Sequence, residues 1–230
     1  MQQAWRASLL RFDTDGQAVF DEDGLLVTAA DDQGVHRVLA AGAHRALAPQ
    51  YPDAPVTHLP GRILAPGFID THVHYPQLDV IGSPADGLLP WLEHYTFPAE
   101  AQFADPAHAA KVASFFCDEL ERNGVTTALT FCTTHPQSVD ALFSEAQKRS
   151  LRLIAGKCLQ DRHSPDGLRD ETEQSLVDTE ALINKWHGVD RLGYAITPRF
   201  APTSSNAQLR GAGDLAAKYP DVWIQSHVAE

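Results

Sequence analysis

From about residue 67 onward the chain predicts an α/β fold: a partial (β/α) barrel of the TIM type, with about strands 1–5, preceded over residues 1–66 by a small β-sandwich-like domain. Three observations predict it. After Pro66, apolar and β-branched runs alternate with stretches whose apolar residues recur at helical spacing, the rhythm of a parallel sheet. Before Pro66 the apolar runs are short and parted by turn signals. Polar, chemistry-bearing residues then cluster just past the strand C-termini, the face at which such barrels build their sites. A doubly wound open sheet shares the rhythm; the ligand-like placement of the polar residues favours the barrel.

The totals narrow the function classes. The 230 residues suffice for one large domain or two small ones, with 43% hydrophobic and 21% charged residues, ordinary for a globular protein. A net charge of −12 disfavours nucleic acid, which needs a basic face. Any nucleobase-like ligand is therefore expected as a free small molecule. Cys117, Cys132 and Cys158 are scattered and form no Cys-x-x-Cys, which fits a reducing compartment and no zinc ribbon. No apolar run approaches membrane-spanning length, and the first residues carry no signal-peptide core.

In chain order, residues 7–12, 24–28 and 35–40 read as strands, with Asp15-Gly16, Asp23-Gly24 and Gln33-Gly34 as turns. Residues 48–55 are too proline-rich for a helix or central strand. His36, His44 and His58 in this module are expected to be structural. Residues 68–74 form the first barrel strand, followed by an irregular segment, 82–102. Asp105-Pro106 opens a helix that ends at Asn123-Gly124. Strands are expected at 125–131, 152–158, 192–197 and 222–227, with helices marked by Val139/Leu142/Phe143/Ala146, Leu176/Ile183/Trp186 and Leu209/Ala212/Leu215. Gly211-Ala212-Gly213-Asp214-Leu215-Ala216 matches a dinucleotide fingerprint in letters, yet lies inside a helical pattern and is rejected as one.

The chemistry concentrates in a few stretches. Alternation puts Phe68, Asp70, His72 and His74 on one side of the first strand, so that two imidazoles can reach one metal ion. His227 and Glu230 close the last strand, giving a third ligand and a proton carrier. Zinc prefers such nitrogen ligands, leaves a position for water, and brings that water's pKa to about 7. Arg199 and Phe200 follow the fourth strand, a guanidinium fork for a carbonyl or carboxylate and a ring to lie against a flat ligand. Gln77 offers an amide for the edge of a heterocycle. Residues 91–100 are aromatic-rich, a lid over the site or a packed surface loop. His108, His163 and His187 are expected to be structural, and His135 to have at most a minor part in the site.

Together these stretches resemble the amidohydrolase superfamily, on Pro66-Gly67-Phe68-Ile69-Asp70-Thr71-His72-Val73-His74 above all. Within it the chain is similar to the guanine deaminase family, through His74-Tyr75-Pro76-Gln77, the Trp91 to Glu100 segment, Thr197-Pro198-Arg199-Phe200 and Gln225-Ser226-His227-Val228-Ala229-Glu230. The resemblance implies hydrolysis of free guanine to xanthine and ammonia with one zinc per site, in a cytoplasmic enzyme of purine catabolism that is a homodimer at full length. It implies His72, His74 and His227 as metal ligands and Gln77, Arg199, Phe200 and His227 as guanine contacts. Glu230 is implied as the shuttle moving protons between water, ring nitrogen and leaving ammonia. The family's remaining histidine and aspartate ligands come from later strands, which these 230 residues do not match. With five strand signals where a barrel has eight, the chain is expected to be the N-terminal part of a longer protein, inactive alone and prone to aggregate. Deamination of another aminated heterocycle, or a non-catalytic fragment, are the alternatives.

Overall fold

The computed structural model describes residues 2–32 and 34–228. It divides into two units, Met1–Pro66 and Gly67–Glu230. In the first, β1 (Gln2–Phe12), β2 (Ala18–Ala30), β3 (His36–Ala43) and β4 (Val56–Leu64) form one sheet in the order β3-β2-β1-β4. The first three strands pair antiparallel and β4 runs parallel to β1. Ala4, Leu25 and Val27 bury one patch of this sheet with Ala54, closed by Tyr51 and by Leu47 of α1 (His44–Leu47). The sandwich-like character thus reduces to one sheet with a covered patch. β4 carries no continuous strand signal in the sequence, because Pro60-Gly61 interrupts it. The ladder absorbs the interruption as a bulge, with Arg6 opposite His58 but Ser8 opposite Ile63. Gly61 takes φ +71° there, a conformation that suits glycine.

In the second unit β5 (Phe68–His74), β6 (Val125–Phe131), β7 (Arg152–Gly156), β8 (Cys158–Leu159), β9 (Gly193–Pro198) and β10 (Trp223–Ile224) form a parallel sheet, ordered β10-β9-β7-β6-β5 with β8 beside β9. Strand order follows chain order without reversal, as in a barrel wall and unlike a doubly wound sheet. Between the strands stand α4 (Pro106–Arg122), α5 (Pro136–Lys148), α6 (Thr172–Trp186) and α7 (Asn206–Lys218). Each packs on the next, and Phe116, Leu142, Phe143, Leu182 and Ile183 share the main core with Leu153 and Ile196 of the strands. Three of these helix starts, those of α4, α6 and α7, are capped by side chains: Asp105 accepts from the Ala107 N–H, Glu171 from Gln174 and Ser205 from Gln208. At Gly156 a Cβ would lie 1.7 Å from the Ala195 carbonyl oxygen, so only glycine lets β7 approach β9 this closely.

Three expectations are corrected. Residues 82–102 are not irregular throughout: α2 (Leu88–Trp91), a π turn (Leu92–Thr96), α3 (Phe97–Ala101) and a 3₁₀ turn (Gln102–Ala104) make them helical from Leu88. Pro98 hides this, since proline clashes with the carbonyl four residues back. That carbonyl belongs to His94, and the backbone widens into the π turn there. The third strand breaks at Lys157. The last strand pairs only at Trp223–Ile224, followed by an isolated bridge between Phe200 and His227.

Candidate metal centre and substrate cavity

The β5 ladder slips between Asp70 and Val73, where Thr71 and His72 on β5 stand against Leu129 alone on β6. The His72 N–H donates to the Asp70 carboxylate, 3.0 Å away. Counting faces by strict alternation from Phe68 therefore stops at this bulge, which sets the direction of His72. His72 and His74 still meet, with ring centroids 5.1 Å apart. His227, delivered past the short β10, completes a nearly equilateral set at 4.9 Å from His72 and 5.0 Å from His74. One ring nitrogen from each lies within 4.8 Å of the others.

Hydrogen bonds orient the set. His227 Nδ1 lies 2.7 Å from the Arg199 carbonyl oxygen, which only accepts, so Nδ1 carries the proton and Nε2 presents its lone pair inward. His74 Nε2 stands 3.0 Å from that nitrogen, and the Gln77 amide nitrogen 3.1 Å from His74 Nδ1. Burial first, then the Arg199 charge and the neighbouring imidazoles, push the His74 pKa down to about 2, so this ring is neutral. Neutral imidazoles are the form that binds metal. Two nitrogens on one tetrahedral zinc stand about 3.3 Å apart for bonds of about 2.0–2.1 Å, close to the His74–His227 separation. The donor set fits a borderline-soft divalent ion. Beneath it lies Phe131, the fully buried last residue of β6, with its ring 4.4 Å from His227, 4.5 Å from His74 and 5.2 Å from His72.

A cavity of about 300 Å³ opens over these rings. His72, His74 and His227 line it together with Gln77, Arg199 and Phe200, so six of the candidate residues share one space. Leu88, Trp91 and Leu92 complete its lining, which makes the aromatic segment part of the wall. Glu230 lies outside the described residues. His135 sits outside this lining, its Nδ1 3.1 Å from the Thr133 hydroxyl, and burial foremost lowers its pKa. His187 accepts from the Tyr194 N–H and His108 packs edge-on to Phe103. Residues 211–216 lie within α7.

Two participants escaped the sequence reading as individual residues. Glu100 of α3 is 1% exposed and grips Arg199, itself 3% exposed, with Arg199 Nη1 donating to Oε2 at 2.6 Å and Nη2 to Oε1 at 3.2 Å. The guanidinium fork expected on the substrate is thus engaged by a carboxylate of the same chain. Phe131 was legible only as a strand residue. The usable signals were an acid amid apolar aromatics, and the position of Phe131 at a strand C-terminus.

Residues 63–230 match the model of the Amidohydrolase family. The guanine deaminase of Escherichia coli K12 is 45% identical over 212 residues, 92% of this chain and 47% of that protein. The solved structure of the E. coli guanine deaminase superposes with a TM-score of 0.92 at 42% identity, covering 99% of this chain and 54% of that one. A guanine deaminase from C. acetobutylicum, solved with guanine bound in its active site, gives 0.91 at 31% identity over 100% of this chain and 54% of its own. The chain spans about half the length of the curated relatives it matches. Among the described residues no helix is long and apolar enough to cross a membrane.

Proposed function

The chain belongs to the amidohydrolase family, and from that we propose that it carries the metal- and base-binding half of a zinc-dependent guanine deaminase. The observation that carries the reading is the meeting of three histidines from β5 and the segment after β10 with Gln77, Arg199 and Phe200 around one cavity. The similarity to guanine deaminases, one of them solved with guanine in its active site, supports the substrate.

His72, His74 and His227 would hold the ion. Bound there, zinc would supply a hydroxide nucleophile at neutral pH. The protein's own residues do the rest. Phe200 lies against the purine face, and the Gln77 amide and Arg199 read its polar edge. Trp91, Leu88 and Leu92 exclude water from the cavity. Arg199 is matched by Glu100, so this end of the cavity offers hydrogen bonds without net charge, which suits a neutral base. Glu230, three positions after His227, takes a proton from water and delivers protons to the ring nitrogen and the departing amine. Guanine and water then give xanthine and ammonia. A homodimer at full length and a cytoplasmic location belong to the same reading, testable by sizing and fractionation.

The test is xanthine formation from guanine by the zinc-loaded chain, alone and extended to the length of its relatives. The extended chain is expected to be active, with Glu230→Gln reducing kcat by about 10²–10⁴-fold. Absence of xanthine in the extended chain, or turnover of another aminated heterocycle in preference to guanine, contradicts the reading.

A further inference from the structure

Glu100 is placed where it governs two groups at once. Its Oε2 accepts from Arg199, and its Oε1 accepts from both Arg199, at 3.2 Å, and the Gln77 amide nitrogen, at 3.1 Å. The same Gln77 nitrogen lies 3.1 Å from His74 Nδ1. Three elements that do not adjoin in sequence thus meet at one carboxylate: the turn after β5, helix α3 and the end of β9. Helix α3 contributes a second hold, the Phe97 ring beneath the Arg199 guanidinium at 5.4 Å. A buried ion pair is a poor source of stability, because desolvating both charges offsets most of their attraction. What the pair does supply is direction: a two-toothed grip fixes the plane of the guanidinium, and the shared oxygen fixes the rotamer of Gln77.

We propose that Glu100 is the positioning residue of base recognition, locking Arg199 and Gln77 into one rigid unit beside His74 and cancelling the Arg199 charge so that the unit reads a neutral ring. The proposal rests on the guanine reading above for its ligand. Glu100 is neither one of the three histidines of the proposed ion site nor a residue lining the cavity; it acts through Gln77 and Arg199, which do line it.

The test is guanine binding by equilibrium dialysis for the zinc-loaded parent, Glu100→Gln, Gln77→Ala and the double variant, with ¹⁵N NMR of the arginine side chains. The parent should show slowly rotating Arg199 guanidinium signals, assigned by their loss in Arg199→Lys. Glu100→Gln should lose them and bind guanine about tenfold or more weakly, with zinc content unchanged. The double variant should bind no more than about threefold worse than the weaker single variant, because both changes break one unit. Glu100→Asp, which keeps the charge and withdraws it by one methylene, carries the comparison if Glu100→Gln fails to fold. Arg199 signals that persist in Glu100→Gln, with affinity within about twofold of the parent, overturn the proposal. If the parent binds no guanine the functional reading fails by itself, and loss or persistence of the Arg199 signals still decides the role of Glu100.

Discussion

Phe131 shows how a single apolar residue conditions a polar site. Its ring touches all three imidazoles from below, and it has no exposed surface. Phe131→Ala is expected to cost about 3–5 kcal/mol in denaturant unfolding and to weaken zinc binding, by opening a cavity under the histidines. A loss below about 1 kcal/mol would contradict its place as the floor. At this scale the sequence was legible where a residue type has one chemical use. His72, His74, His227, Arg199 and Phe200 stood out as candidates by type and by position at strand ends, whereas Gln77 meant little alone and entered through the family resemblance. Glu100 did not stand out, because its partners lie 23 and 99 positions away and only the fold joins them.

At the scale of elements, the third histidine hangs on a weak strand. β10 pairs with β9 only at Trp223 and Ile224. The segment is held further by Gln225, whose backbone N–H reaches Ile196 and whose side-chain amide donates to the Thr130 carbonyl and the Thr197 hydroxyl. Gln225→Leu removes both side-chain bonds and is expected to destabilise by about 1–3 kcal/mol. Zinc affinity should fall about 10–100-fold. Hydrogen exchange across residues 223–227 checks the first effect and zinc titration the second. Asp161 performs a similar task for two helices, accepting from the Ser205 N–H and hydroxyl at the start of α7 and from Thr172 at the start of α6. Burial raises its pKa, but these hydrogen bonds outweigh that and leave it below the ordinary carboxylate value. Its stabilisation is therefore complete above that ordinary value and is lost as pH falls through the lower folded value. Acid unfolding curves should show this loss, and Asp161→Asn should remove it. Helices α4 to α7 were legible because their apolar residues recur at helical spacing, and α4 also because Asp105-Pro106 and Asn123-Gly124 mark its ends. The π turn was not, since its cause is a proline inside an otherwise helical run.

The whole second unit is an open wall. Among the described strands β5 pairs only with β6, and β10 only with β9, leaving an edge of each unpaired. Apolar side chains stand out there, with Phe68 70%, Ile69 68% and Ile224 61% exposed. Unpaired edges beside apolar surface favour association. Sedimentation is expected to show self-association that grows with concentration; a monomer at every concentration with a cooperative melt would contradict this. The barrel-like succession of strands was legible in the alternation of patterns, while the shortness of β10 was not, because Val222 to His227 reads as a full strand by composition alone. The proposed metal centre requires histidines 153 positions apart to serve one ion. X-ray absorption on the zinc-loaded chain tests this most directly. One zinc per chain with three nitrogen neighbours at about 2.0–2.1 Å, one of them lost in His227→Ala, is the predicted result. Zinc bound identically in the parent and in His227→Ala, or no stoichiometric zinc in either, would contradict it.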